Sequence, residues 1–174
     1  MCWRKIPSRW TIGLLCCWVA LAAALAASNP AHFDRGKDVT VISVRVGSQG
    51  ATLTTGNTGR PIDGITVEIP AGALTQELTV TLSYNTGTLS LRSGESSGVF
   101  LNLSAEQLNE FQQPVAIRIR YDARRHQNTV AVGYAIDDKG RLRAVNSVAQ
   151  DGQAGTASFT TFVPLLFTWV YAPL

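Results

Sequence analysis

From Val39 onward, apolar and polar side chains alternate in short runs separated by glycine, asparagine, aspartate and proline. A side-chain period of two belongs to a strand and not to a helix. Runs of this kind, restarting after roughly ten residues, are the pattern of an antiparallel sandwich or barrel. Val39 to Val46 reads as the first strand, and Ile65, Val67 and Ile69 alternate with Thr66 and Glu68. Leu78, Val80, Leu82 and Tyr84 alternate with threonines and a serine, and Val99 to Leu103 is a shorter run. Val115, Ile117, Ile119 and Tyr121, with Arg118 and Arg120 between them, form the cleanest half-buried strand. Val130 to Ile136 follows, then a hairpin turn, Asp137-Asp138-Lys139-Gly140, with Gly140 in the left-handed position. Arg141 to Val148 pairs back on it, and two apolar strands end the chain.

One segment reads as helical. Ser104-Ala105-Glu106-Gln107 has capping-box spacing, Leu108 and Phe111 follow, and Pro114 stops it. The expected fold is therefore an all-β, Greek-key-like antiparallel sandwich over residues 38–174 with one short helical turn. A polar linker occupies residues 27–37.

Residues 1–26 read as a secretory signal. Arg4, Lys5 and Arg9 give a positive start, Thr11 to Ala22 is apolar, and Ala24-Leu25-Ala26 is a small-x-small cleavage site. An uncleaved membrane anchor is the alternative; it needs about 20 strongly apolar residues, and this run fades into alanine. Those same three basic residues account for the formal charge of +3, because the other 12 Lys and Arg face 12 Asp and Glu. The basic pI is thus a property of the leader and gives no reason to expect nucleic acid as a partner. All 3 cysteines, Cys2, Cys16 and Cys17, lie in the leader as well, so an exported domain would fold without disulfides or thiolate metal sites.

At Ile69-Pro70-Ala71-Gly72-Ala73-Leu74 the pattern resembles a family. A strand ending in Ile-Pro-x-Gly-Ala-Leu and followed by an alternating Thr/Val strand is similar to the ZU-five domain, a β-sandwich module of zonula-occludens proteins, netrin receptors, ankyrins and exported bacterial proteins. In the same order, Gly50-Ala51-Thr52-Leu53 resembles the family's early turn, Phe111 with Pro114-Val115 its Phe-x-x-Pro-Val region, and Tyr134 to Val145 the bacterial hairpin. The likeness spans about Val39 to Tyr171. It implies a non-catalytic module for protein or cell-surface interaction. Some animal members cleave themselves at a His-Phe-Ser tripeptide; Thr161-Phe162-Val163 stands there instead and supplies neither base nor nucleophile. Independently of the family, Ile69, Pro70, Gly72 and Leu74 read as a structural turn: Pro70 ends ladder pairing, Gly72 permits the turn and Leu74 returns to the core.

Several residues carry a competing chemistry. Gly94-Glu95-Ser96-Ser97-Gly98 has the Gly-x-Ser-x-Gly form of serine hydrolases, but that motif works between a strand and a helix, and here a strand follows. A hydrolase using Ser96 is the alternative function. His32 and His126 have no second histidine or carboxylate at ligand spacing, so neither a metal nor a cofactor is expected, and His126 reads as part of a solvated turn. Arg118 and Arg120 share a strand face, as do Arg141 and Arg143; were those strands neighbours, four guanidinium groups would form a stripe for anionic envelope polymers. Trp169 lies in a C-terminal strand apolar on both faces, Phe167, Trp169 and Tyr171 on one and Leu166, Thr168 and Val170 on the other. It is either a covered central strand or an edge that docks onto a partner or the outer membrane. The expected partner is a protein or envelope component, with no small-molecule substrate, and with membrane contact only through an uncleaved leader. Mass spectrometry of the protein recovered from the cell envelope or medium should find an N-terminus at Ala27, and a chain that retains Met1 to Ala26 overturns the cleaved-signal reading.

Overall fold

The computed structural model describes residues 32–56, 59–91 and 94–174. The signal-peptide reading and the first part of the linker lie outside these residues. Among the described residues fourteen strands form, beginning with β1 (His32–Asp34), β2 (Asp38–Val46), β3 (Ala51–Thr54), β4 (Thr66–Ile69), β5 (Leu78–Asn85), β6 (Thr88–Ser90) and β7 (Glu95–Ser96). They continue with β8 (Leu101–Ala105), β9 (Val115–Arg120), β10 (Thr129–Ile136), β11 (Leu142–Ala144), β12 (Asn146–Asp151), β13 (Thr156–Thr161) and β14 (Leu165–Pro173). A seven-stranded sheet has the order β11-β10-β14-β8-β5-β2, with β7 also pairing β14; a five-stranded sheet has the order β12-β13-β9-β4-β3. Every pairing is antiparallel, and the two sheets stack as a sandwich. β1 and β6 form a separate two-stranded ribbon.

The core lies between the sheets. Val67, Ile117, Ile119 and Phe159 from the five-stranded sheet meet Val80, Leu82, Leu101, Leu103 and Phe167 from the seven-stranded one. Each such side chain contributes about 1.5–3 kcal/mol on burial. The division of labour between β10 and β14 is steric. Ala131, Gly133 and Ala135 of β10 lie opposite Tyr171, Trp169 and Phe167 of β14, so the small residues of one strand make room for the aromatic residues of the next. A Cβ on Gly133 would lie 2.7 Å from Phe159 Cδ1 and 2.8 Å from Val145 Cγ2, closer than carbon atoms approach.

The outer side of β14 is buried too. Leu166 joins Phe33, Phe100 and Ile136 in a second apolar cluster, with Leu89 and Leu142 against it. Phe33 comes from β1, so residues 32–34 are a strand and not the linker expected there. The ribbon is held at its base by Asn85. Its Oδ1 accepts the N–H groups of Gly36 and Gly87, and its Nδ2 donates to Gly36 O and Asp38 Oδ1. Nothing in the polar linker announces that Phe33 will find a pocket 67 residues away at Phe100; their ring centroids are 4.9 Å apart.

Two further expectations change. No helix forms at Ser104: Ser104 and Ala105 pair with Thr81 and Val80 of β5, and Gln107 sits at φ 58° in the turn that follows. A helix of that length is unstable without packing of its own, whereas the ladder to β5 is already in place. Arg141 to Val148 is not one returning strand either. Residues 142–144 pair with β10, Val145 N–H donates to Gly133 O, and the chain then crosses to pair β13 in the other sheet. The hairpin turn itself forms as read, with Gly140 at φ 73°. Gly133→Ala should destabilise the fold by about 1–3 kcal/mol in denaturant unfolding, because the added methyl overpacks the core, whereas Gly152→Ala, with nothing within 4 Å, should stay within about 0.5 kcal/mol.

Candidate functional site

The two outer faces of the sandwich differ. That of the seven-stranded sheet is partly occupied by the chain's own residues: Phe33 and Phe100 pack with Leu166 and Ile136, and Val99 O accepts the Thr168 hydroxyl further along β14. Among the described residues no strand lies over the outer face of the five-stranded sheet. That face presents hydroxyl-bearing Thr52, Thr54, Thr66, Ser158 and Thr160, together with Glu68, Arg118 and Arg120. It is polar because each of these alternates with a buried neighbour along its strand.

Within that face there is a hollow of about 250 Å³, lined by Glu68, Arg118, Ser158, Thr160 and the Val148–Ala149 pair among others. Ala116, Ala149 and Ser158 are small and lie in adjacent strands, so the surface dips there. A β-bulge between Ser147 and Ala149 raises one wall, and its extra residue, Val148, is 63% exposed. Arg118 faces Thr66 and Ala116 faces Glu68 in the ladder, so Arg118 and Glu68 are diagonal neighbours on one face. Among the described residues neither Arg118 nor Arg120 is in an ion pair.

Arg141 and Arg143 are elsewhere. They belong to the β10–β11 hairpin of the seven-stranded sheet, while β9 carries Arg118 and Arg120 in the five-stranded one. The stripe of four guanidinium groups therefore does not form. Arg141 Nη2 is 2.7 Å and Arg143 Nη2 3.8 Å from Asp137 Oδ2. Asp137 Oδ1 accepts the N–H groups of Lys139 and Arg141. The Arg141 N–H above all holds the Asp137 carboxyl below its ordinary 3.8, desolvation opposes this, and the Arg141 side chain and Lys139 N–H add to the lowering.

Trp169 is not at a docking edge. It is 4% exposed in a strand paired on both sides, and its Nε1 donates to Tyr171 Oη at 2.9 Å. Burial pushes the Tyr171 hydroxyl above its ordinary 10. His126 is also buried, at 8%, and not a solvated turn residue. Its ring stacks on Tyr171 at 3.5 Å and 11°, while Tyr121 meets it edge-on. Cross-strand partners share a face, so Ser96, opposite Val170, points away from the core that receives Tyr171. Ser96 and His126 therefore lie on opposite sides of the sheet. Ser96 Oγ accepts the Gly98 N–H.

The Ile69–Leu74 stretch is a turn with buried ends. Ile69, Ala73 and Leu74 are each no more than 2% exposed, Gly72 has φ 79°, and Ala73 O accepts the N–H of Gln112, beside Phe111. Sequence reasoning reached Arg118 and Arg120 but missed Glu68 and Val148 as their neighbours. Ala116 is far in sequence from Ala149 and Ser158, and only the ladder register brings Ala149 opposite Ser158 and Ala116 diagonal to it.

Compared with protein-family models and with curated protein sequences, the chain matches none. The pH dependence of the hairpin follows from Asp137. Because its folded carboxyl titrates below its unfolded value of 3.8, its bonds hold above that pH and are lost as pH falls through the lowered folded value. Amide exchange at Lys139 and Arg141, followed by NMR, should accelerate in that acid window relative to the Asp137→Asn variant, which should show no such step.

Proposed function

We propose that this chain is an exported, non-catalytic β-sandwich module of ZU-five type. It binds a protein or a component of the cell envelope through the outer face of its five-stranded sheet. The observation that carries this reading is the asymmetry between the two outer faces. Among the described residues, β1, β6 and the Val99–Phe100 stretch lie on one face, no strand lies over the other, and two arginines there have no ion-pair partner. Arginine suits such a surface, since its planar fork is weakly hydrated and donates in pairs.

Export rests on the leader, with the periplasm or the exterior as the destination, or the membrane if the leader stays attached. The ZU-five reading rests on the order of motifs from Gly50 to Tyr134 and on the buried turn at Ile69–Leu74. A hydrolase using Ser96 finds no support in a serine separated from His126 by a sheet. Anionic envelope polymers are the second reading, favoured by Arg118 and Arg120 standing in one row on β9.

The protein purified after export, used as bait in envelope extract, should retain a dominant partner at low salt. The Arg118→Glu/Arg120→Glu variant should lose that partner by about tenfold or more, while Arg141→Glu/Arg143→Glu should keep it, with circular dichroism confirming that both fold. Equal capture by all three proteins, or a turnover product dependent on Ser96, would overturn the reading.

A further inference from the structure

The hollow on the five-stranded sheet has a more specific chemistry than the face around it. Arg118 and Glu68 both line it, with opposite charges, yet they form no ion pair within 4 Å among the described residues. A surface pair that has not closed leaves the hydrogen-bonding capacity of both groups to an incoming ligand. Resting on the surface reading above, we propose that this hollow receives a single carboxylate side chain of a partner protein, presented beside a basic group.

Three features select that ligand. The guanidinium of Arg118 matches a carboxylate in bidentate fashion, a pairing about twice as strong as a neutral hydrogen bond. Ser158 and Thr160 line the same hollow and supply hydroxyls to the remaining oxygen lone pairs. Val148, exposed on the bulge, offers an apolar wall to the methylene groups that precede the carboxylate.

Glu68 supplies the discrimination. A polymer with a negative charge on every unit would bring a second anion against it, whereas a lone acid with a lysine or arginine nearby satisfies both walls. Size acts in the same direction. About 250 Å³ is less than the roughly 300–1,000 Å³ of ligand pockets, and is suited to one or two side chains of a docked protein surface.

The test is an NMR titration of the ¹⁵N-labelled protein purified after export. The probes are millimolar capped pentapeptides, Ala-Asp-Ala-Lys-Ala and its Asp→Asn and Lys→Asp forms, and a heparin tetrasaccharide. The Asp/Lys peptide should shift the amides of Ala116, Arg118, Val148, Ala149 and Ser158, and the Asn form should bind at least tenfold more weakly. Arg118→Ala should lose the Asp/Lys peptide at least tenfold. Glu68→Gln should weaken that peptide about threefold while strengthening the Asp/Asp peptide. Equal shifts from the Asp and Asn peptides, no shift at these amides from any peptide, or tightest binding of the tetrasaccharide at Arg118 would each overturn the proposal. Peptide shifts centred on Thr52, Thr54 and Arg120 would overturn the hollow as the receptor and leave the wider surface reading standing. A captured envelope partner that survives Arg118→Glu/Arg120→Glu removes both.

Discussion

A strand buried on both faces governs this molecule. β14 sends Phe167, Trp169 and Tyr171 into the main core and leaves Leu166, Thr168 and Val170 on the other side, where water would otherwise meet them. A two-layer sandwich covers only one face of each sheet. The remaining apolar side of β14 therefore requires further chain, and the fold supplies it. The ribbon of β1 and β6 brings Phe33 and Leu89, and the 94–100 segment runs along the β14 edge. Even the one polar residue on that side is satisfied locally, since Thr168 Oγ1 donates to Val99 O at 2.8 Å.

The opposite surface differs. Among the described residues no strand covers the outer face of the five-stranded sheet, and the residues on that face are mostly polar. There the surface relief comes from two modest sources, a bulge at Val148 and the cluster of Ala116, Ala149 and Ser158. The uncommitted Arg118 stands beside both. The arginines of the other sheet differ in kind. Arg141 and Arg143 are gathered around Asp137, where they help to hold a hairpin whose tip packs against β1, with Gly140 directly over the Phe33 carbonyl. Equal spacing in sequence thus yields an open pair on one sheet and a structural pair on the other.

Much of the polar chemistry at the end of the sandwich bearing Tyr121 and Tyr171 is likewise spent on joining layers. Gln150 of β12 accepts the Ala131 N–H of β10 and donates to the Tyr121 hydroxyl, so one side chain ties both sheets. It also occupies a backbone donor on β10 beyond the reach of the short β11, which is a common way to finish an edge. His126 belongs to the same group through its stack on Tyr171. A histidine that follows two arginines and precedes Gln127 and Asn128 reads as solvated because its neighbours do, but its neighbours in sequence are not its neighbours in space.

The sequence by itself determined the all-β class, most of the strands, the Asp137–Gly140 turn and the outward placement of Arg118 and Arg120. All of these follow from a period of two and from local turn chemistry, which act within a few residues. Tertiary structure alone decided that Phe33 makes a strand, that Ser104 extends β8 and does not cap a helix, and that the chain changes sheets at Val145. It also decided that Trp169 is core, that Arg143 and Arg118 never meet, and that Glu68 stands beside Arg118. Alternation assigns a residue to a face but cannot say which strand lies next to it or what covers that face; ladder register and burial settle both, and they exist only once the layers have closed.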